Sequence, residues 1–339
     1  MQLWALFLSK TALCLEDAMT LTYAILSIII GLAALVWSAD RFVQGAVALA
    51  NHFGMPKILI GMLIVGFGTS APEIVVSATS ALEGNPGIAL GNAYGSNIAN
   101  LALILGVTAV ISPILVAPST LRKELPQLLA VTLISIALLL DGEVSRLDGI
   151  ILLLLFATFM FWSVYQALRA KYRPQETLEI DTSIRLPKAL LLLIVGIVLL
   201  VASSQLLVSG AVFIAQAFGV SDLVIGLTVI AIGTSLPELA SSISAARQHQ
   251  HELALGNVIG SNMFNTLAVV GLAGTIKPMH AGFEVVYRDM PVMLALTLLL
   301  FIIGYRYRAP SGHIYRWAGA LLLLCYIAYN AFIFLSLRS

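Results

Sequence analysis

The chain has 339 residues, of which 60% are hydrophobic and 10% are charged. Soluble globular proteins are roughly half apolar and about a quarter charged, so this composition excludes a water-soluble fold of this length. The 18 basic and 17 acidic residues nearly cancel, which gives no reason to expect nucleic acid or another polyanion as a partner. The partner that the composition implies is the lipid bilayer.

Ten apolar stretches follow one another along the chain, and each is long enough to cross a hydrocarbon core of about 30 Å as a helix. Because they run unbroken instead of alternating, they exclude a transmembrane β-barrel. The short apolar piece 42–52 is a candidate for a separate half-helix before a break at Met55-Pro56. The predicted helices lie near residues 21–38, 57–82, 87–113, 124–141, 148–168, 188–214, 222–246, 253–275, 285–305 and 314–336.

The hydrophilic segment 169–188 divides these stretches into two sets of five. We expect one transmembrane domain made of a first five-helix repeat over 20–170, a loop over 171–187 and a second five-helix repeat over 188–337. Residues 1–19 are apolar but short and lack a basic n-region, so a signal peptide is a poor interpretation. They are treated as an N-terminal extension of uncertain status.

Lys and Arg are enriched in the cytoplasmic loops of membrane proteins, which allows the orientation to be predicted. With the N-terminus outside, thirteen of the eighteen basic residues fall in inside loops. The sequence therefore predicts a multi-pass protein of the plasma (inner) membrane, with both termini outside and the hydrophilic loop in the cytoplasm.

An internal repeat is the main organising feature. Residues 31–106 match residues 196–271 at a constant offset of 165, with 29 identities in 76 positions and no gap. Because each half contains an odd number of spans, the second copy enters the membrane from the opposite side, as in the inverted repeats of secondary transporters. The matched motifs are GTSAPE at 68–73 with GTSLPE at 233–238, and GNAYGSNIAN at 91–100 with GNVIGSNMFN at 256–265.

Glu73 and Glu238 fall in the middle of apolar stretches, at equivalent positions of the two repeats. A charge at mid-bilayer costs roughly 2.5 to 3.5 kcal/mol on insertion scales, so a symmetric pair indicates an ion or proton path. Each glutamate follows a proline, which cannot donate to the carbonyl four residues back. The carbonyls of Gly68 and Gly233 are thereby freed.

Other oxygen-bearing residues share helix faces with the glutamates or form the opposite wall, at spacings of i and i+4. The predicted site contains only oxygen ligands, without thiolate or imidazole, which suits Ca²⁺ or Na⁺ and not zinc or copper. We expect no catalytic residues and no cofactor. The candidate metal ligands are Glu73, Glu238, Thr69, Ser70, Thr234, Ser235, Ser96, Ser261, Asn100, Asn265, Gly68 and Gly233.

Two polar clusters outside the candidate site, and the transport function itself, have alternative interpretations. The His249, His251 and Glu252 cluster is interpreted as a solvated loop, with a regulatory metal site as the alternative. Asp40 and Arg41 are interpreted as an interfacial pair that ends the first span, with an ion entrance as the alternative. An intramembrane hydrolase lacks a Ser-His arrangement, because all five histidines lie in loops or at span ends. A passive cation channel is the remaining rival.

The paired motifs resemble the two α-repeats of the calcium/cation antiporter superfamily, of the sodium/calcium exchanger type, and the prokaryotic inner-membrane branch fits best. The resemblance covers nearly all of 20–337 and implies ten helices in two inverted halves. It implies that Glu73 and Glu238 are shared cation ligands and that the other candidate ligands complete a diamond-shaped site. RKELP at 122–126, SRLDG at 145–149 and YRDMPVML at 287–294 resemble linking segments of that branch.

One departure concerns the coupling ion. Many family members place an Asp at the end of one GSNxxN motif, whereas Asn100 and Asn265 are both neutral amides. Family members that exchange protons commonly carry Gly-Asn-Ala-x-Glu, and this chain has Gly95 where that glutamate would stand. The predicted function is therefore antiport of Ca²⁺ against Na⁺ by alternating access, with Ca²⁺/H⁺ antiport as the second interpretation and a role for K⁺ left open.

Overall fold

A computed structural model describes residues 21–83, 86–170, 184–218, 231–282, 284–305 and 312–336. Residues 1–19 and most of the predicted 171–187 loop lie outside the described residues. The described chain is mainly helical, with short π-helical segments and four short strands. In the first half the helices are α1 (Leu21–Phe53), α2 (Lys57–Ile60), α3 (Gly66–Thr69), α4 (Ala71–Glu83), α5 (Pro86–Ile98), α6 (Leu105–Ile111), α7 (Leu125–Leu138) and α8 (Arg146–Ala170).

The second half repeats this order of elements as far as the structure describes it. Its helices are α9 (Leu186–Ala217), α10 (Ala231–Thr234), α11 (Leu236–Arg247), α12 (His251–Phe264), α13 (Val270–Ile276), α14 (Met290–Gly304) and α15 (Arg316–Ser336). The π-helical segments are Gly61–Val65, Ala99–Ile104, Thr120–Glu124, Asn265–Val269 and Val285–Asp289.

Within the described ranges, seven helical runs are long and apolar enough to cross a membrane. An eighth is formed by Lys57–Thr69 and Ala71–Glu83 together, which are bent by 47° at their junction. Of the predicted 222–246 span, only the part from residue 231 onward is described. The seven runs are Leu21–Phe53, Ile88–Ile111, Arg146–Gln166, Leu186–Ala217, His251–Ile276, Val285–Gly304 and Arg316–Leu335.

The first predicted span was too short. α1 continues as one helix of 33 residues, so the predicted end at residue 38 and the separate half-helix 42–52 are wrong. The predicted Asp40 and Arg41 pair is also wrong, because Asp40 accepts a hydrogen bond from Ser244 Oγ at 2.5 Å and Arg41 donates to Gln44 at 3.0 Å. Ser244, which lies on α11, donates a hydrogen bond to the Asp40 carboxylate, so α1 continues past this charge.

Two long helices, α1 and α9, cross at close range. They occupy equivalent positions of the repeat, and glycines stand at their contact. A methyl group on Gly45 would lie 2.6 Å from the amide nitrogen of Leu193, and one on Gly196 would lie 2.7 Å from the Cα atom of Phe42. Small residues let membrane helices approach until their backbones touch, so these glycines allow the two repeats to pack directly on each other.

Two antiparallel strand pairs also join the halves. β1 (Ile114–Val116) pairs with β4 (Gly312–Ile314), with Ile114 opposite Ile314. β2 (Glu143–Val144) pairs with β3 (Met279–His280), with Glu143 opposite His280. The helix formed by α12 and the residues that follow it, His251–Ile276, is almost entirely buried. The fold therefore places one GSNxxN motif at the centre of the protein.

Candidate functional site

Both glutamates lie in the first turn of a helix that begins after a break. Glu73 follows Ser70, whose backbone has φ −82° and ψ 6°, and Glu238 follows Ser235 at φ −89° and ψ 4°. Each carboxylate is only 1% exposed. A helix N-terminus carries partial positive charge and so favours a nearby anion. The two breaks thus hold two negative groups inside the protein with the same local geometry.

The proline at each break cannot donate to the carbonyl four residues back, and the carbonyl of Gly233 has a side-chain partner. The hydroxyl of Ser204 on α9 donates to the carbonyl of Gly233 at 2.8 Å. Since a carbonyl oxygen has two lone pairs, one remains, and the role of Gly233 as an ion ligand stays a prediction. Ala39 occupies the position equivalent to Ser204, so the same contact is not available to the carbonyl of Gly68.

Hydroxyl groups of the first repeat reach polar groups of the second. Ser70 Oγ donates to Glu238 Oε1 at 3.2 Å. Thr69 Oγ1 donates toward Asn257 Oδ1 at 3.2 Å and lies 3.5 Å from Ser261 Oγ. The structure therefore brings the GTSAPE motif of one repeat against both motifs of the other.

Glu73 has different neighbours. It lies close to the Glu238 carboxylate and to the Ser96 hydroxyl. Neither carboxylate oxygen of Glu73 has a hydrogen-bond partner among the described residues. Of the predicted ligands, Thr234 is half-buried, whereas Asn100 and Asn265 are at most 1% exposed.

Amide side chains link the two GSNxxN motifs. Asn100 Nδ2 donates to Asn262 Oδ1 at 3.0 Å, and Asn97 Nδ2 donates to Thr266 Oγ1 at 2.8 Å. Asn97 and Asn262 are identical residues at equivalent positions. Their place in this network was missed by the sequence analysis, although the repeat identities included them.

Equivalent positions of the two repeats have unequal contacts. Ser70 donates to Glu238, whereas the equivalent hydroxyl of Ser235 and both carboxylate oxygens of Glu73 have no partner within the described chain. The same holds for the amides. Asn100 donates to Asn262, but the equivalent atoms, the amide nitrogen of residue 265 and the side-chain oxygen of residue 97, are both unpartnered.

Buried polar atoms without partners concentrate at this site. Of fourteen such atoms in the described residues, eight belong to the site, and seven of those eight are oxygens. Burying an unpaired acceptor costs free energy, and a cation can compensate for it. The atoms are both carboxylate oxygens of Glu73, Glu238 Oε2, Ser235 Oγ, Asn97 Oδ1, Asn100 Oδ1, and Oδ1 and Nδ2 of Asn265.

A metal site built from His, Cys, Asp and Glu alone is not present in the part of the chain that the structure describes, where no three such residues come together. This leaves the alternative interpretation of His249, His251 and Glu252 as a metal site without support. The candidate site has only two carboxylates, so a cation bound there needs hydroxyl, amide and main-chain oxygens as well.

Comparison with known proteins identifies the family. The model of the sodium/calcium exchanger protein family matches residues 23–165 and 188–335. The chain belongs to the sodium/calcium exchanger family. It is 44% identical to CaxA of Alkalimonas amylolytica over 92% of this chain and 99% of that protein. It is 38% identical to the inner membrane protein YrbG of Escherichia coli strain K12 over 91% of this chain and 95% of that protein.

The fold is similar to a solved exchanger structure. The sodium-calcium exchanger NCX_Mj, soaked with Na⁺ and Sr²⁺, superposes with a TM-score of 0.80 at 34% identity, over 92% of this chain and 99% of that chain. The predicted family and its prokaryotic branch are thereby confirmed. The protein is a multi-pass membrane protein and a cation antiporter of this family.

Proposed function

We propose that the protein exchanges Ca²⁺ for Na⁺ across the plasma membrane by alternating access, with both ions competing for one site between the repeats. The buried oxygens without a hydrogen-bond partner among the described residues carry this proposal, because seven of them belong to the repeated motifs. Hard cations prefer such all-oxygen sets. The proposed ligands are Glu73, Glu238, Thr69, Ser70, Thr234, Ser235, Ser96, Ser261, Asn100 and Asn265, with the carbonyls of Gly68 and Gly233.

The proposed architecture is one domain of ten transmembrane helices in two inverted five-helix repeats. The repeats span 20–170 and 188–337, and the loop 171–187 joins them. The matching backbone breaks at Ser70 and Ser235 and the packing of α1 against α9 support this arrangement. Inverted repeats place a binding site at their interface near the middle of the bilayer, which is where both glutamates would then lie.

The unequal contacts of the two repeats support alternating access. A symmetric site would give Ser235 the same contact to Glu73 that Ser70 makes to Glu238. One contact is formed and the other is not, as expected for a transporter that faces one side of the membrane. In the oppositely facing state we expect the two contacts to exchange.

Na⁺ is proposed as the coupling ion for two reasons. The structurally similar protein NCX_Mj is a sodium-calcium exchanger. In addition, the resemblance implies a glutamate in proton-exchanging family members at the position where this chain has Gly95. Two Na⁺ ions or one Ca²⁺ ion would each neutralise the two glutamates.

Uptake of radioactive Ca²⁺ into everted vesicles tests the function. Vesicles loaded with Na⁺ and diluted into Na⁺-free medium should accumulate Ca²⁺, whereas a pH gradient at equal Na⁺ should not drive uptake. Equal uptake under a pH gradient alone would instead identify a Ca²⁺/H⁺ antiporter. Ca²⁺ entry that depends on neither gradient would identify a passive channel. Vesicles without the protein set the background.

Topology is a separate prediction. We expect a reporter fused after Ser339 to read as periplasmic or external, and a reporter inserted in the loop 171–187 to read as cytoplasmic, because the basic residues concentrate on that side. The insertion serves as the matched control. A cytoplasmic signal from the fusion at Ser339 would reverse the proposed orientation, although the repeat itself would remain.

A further inference from the structure

Asn257 on α12 contacts both repeats at the candidate site. The side chain is 1% exposed. Its Nδ2 atom carries two hydrogens and has three acceptors within hydrogen-bond distance, the main-chain carbonyl of Glu238 at 3.1 Å and the hydroxyls of Ser241 and Ser242 at 2.9 and 2.8 Å. Its Oδ1 atom accepts from Thr69 Oγ1 at 3.2 Å. One amide therefore joins α12 to the glutamate helix of the second repeat and to the GTSAPE motif of the first.

The equivalent residue makes matching contacts in the first repeat. Asn92 on α5 donates from Nδ2 to the main-chain carbonyl of Glu73 at 3.1 Å and to the hydroxyl of Ser77 at 2.9 Å. Ser77 is equivalent to Ser242. The same two hydrogen bonds thus recur, with distances that agree within 0.1 Å, in two segments 165 residues apart, which indicates a contact that the site requires in duplicate.

We propose that Asn257 and Asn92 are positioning residues for ion binding, which rests on the proposed function of the site. Each holds the main chain of its glutamate against the facing helix. A carbonyl oxygen in a helix uses one lone pair for the helix bond, and the second lone pair can accept from a side chain. The asparagine donates to this second position, which Asn257 shares with the hydroxyl of Ser241 at 3.1 Å, and so sets the distance between the two walls of the site.

Asn257 also contacts the hydroxyl of Thr69, and its amide oxygen shares the single hydrogen of that hydroxyl with the closer carbonyl of Val65. The orientation of its amide is determined by the hydrogen bonds, because the Glu238 carbonyl can only accept and must face the NH₂ group. The amide oxygen therefore faces Thr69. The nearest partners of that hydroxyl, Asn257 Oδ1 at 3.2 Å and the carbonyl of Val65 at 3.0 Å, are both acceptors. The single hydroxyl hydrogen is thereby used, and the lone pairs of the oxygen remain for a cation.

The two asparagines should differ in importance. Asn257 is fully buried and contacts both repeats, whereas Asn92 is half-buried and its amide donates to Glu73 and Ser77 of the first repeat. We therefore expect the larger effect at residue 257. An Asp at either position retains the acceptors but loses the two donor hydrogens, and an Ala loses both functions.

Calcium titrations of Na⁺-driven uptake test the proposal with Asn257→Ala, Asn257→Asp and Asn92→Ala. We expect Asn257→Ala to weaken the apparent Ca²⁺ affinity by about tenfold, equivalent to about one lost hydrogen bond, with the maximal rate per protein retained within about twofold. Asn257→Asp should make the Ca²⁺ affinity depend on pH, because it adds a titrating group. The matched control is Asn330→Ala on α15, whose amide donates to the Tyr326 carbonyl at 2.8 Å and should leave the affinity unchanged.

The outcomes separate this proposal from the proposed function. If the native protein shows no Na⁺-driven uptake, the proposed function fails. The positioning role is overturned if the native protein exchanges ions and the variants keep its Ca²⁺ affinity. It is also overturned if the variants lose abundance and maximal rate while their Ca²⁺ affinity stays unchanged. If Asn257→Ala does not reach the membrane, the apparent Ca²⁺ affinity of Asn92→Ala tests the proposal instead. We expect that variant to lose about threefold in Ca²⁺ affinity.

Discussion

Glu73→Gln and Glu238→Gln are each expected to abolish Ca²⁺ exchange, with a loss of at least about 100-fold in apparent Ca²⁺ affinity. Both carboxylates are 1% exposed, so the negative charge that each supplies to a cation is poorly screened by water. Removing one member of a buried set of opposite charges costs about 3 to 5 kcal/mol. Glutamine keeps the size and one oxygen but leaves a bound Ca²⁺ only half neutralised.

Membrane insertion should remain close to normal in both variants, because removing a charge from mid-bilayer cannot make insertion harder. Uptake is therefore measured per amount of protein in the membrane. The matched control is Glu83→Gln, at the exposed end of the same helix as Glu73, which should exchange normally. Normal exchange by either site variant would contradict the symmetric site.

Asn265→Asp is expected to change how much positive charge the site accepts. The two glutamates carry a charge of −2, which one Ca²⁺ or two Na⁺ ions neutralise. A third Na⁺ would leave a net positive charge in a buried site, and an amide cannot ionise to offset it. The added carboxylate raises the site to −3, so the variant should either bind one more Na⁺ or show Ca²⁺ affinity that depends on pH near neutrality.

Asn265→Asp and the equivalent substitution in the first repeat, Asn100→Asp, differ in the hydrogen bonds that they break. Asn265 is fully buried and makes no side-chain hydrogen bond among the described residues, so the change to Asp breaks none there. Asn100→Asp removes the donor to Asn262 and places a carboxylate against an amide oxygen. We therefore expect Asn100→Asp to lower thermal stability as well as change ion binding.

Calcium affinity measured against pH, together with the Na⁺ dependence of exchange, checks these expectations. Asn265→Ala should weaken the binding of both Ca²⁺ and Na⁺, because it removes a ligand without adding charge. Identical pH profiles for the native protein, Asn265→Asp and Asn100→Asp would show that neither position faces the ions. In that case the site would be confined to the glutamate motifs.

Much of the molecule was predictable from local patterns. Helical spans depend on the length of apolar stretches, which can be counted along the chain, and most predicted ends agree with the helices within a few residues. The two glutamates stood out because a charge inside an apolar stretch is costly. The family followed from motifs whose identities recur at a fixed offset.

The errors arose where a distant residue supplies a partner. Asp40 was predicted to pair with the adjacent Arg41 and end the first helix, yet Ser244 donates to its carboxylate from 204 positions away. The hydrogen bond from Ser204 on α9 to the carbonyl of Gly233 was also not visible in the sequence, and the role of that carbonyl as an ion ligand stays a prediction. A polar group in a membrane is tolerated when it is hydrogen-bonded, and the sequence alone does not reveal which residue provides the bond.

By itself, the sequence determined that this is a membrane protein with a duplicated, oxygen-rich motif around two glutamates, because hydropathy and repeat identity are properties of the chain. Only the tertiary structure decided which atoms meet. It places Ser70 on Glu238, Thr69 on Asn257 and leaves the equivalent oxygens of Glu73 and Ser235 unpartnered within the described chain. Such contacts join residues more than 160 positions apart, and their geometry depends on how helices pack, so no local pattern encodes them.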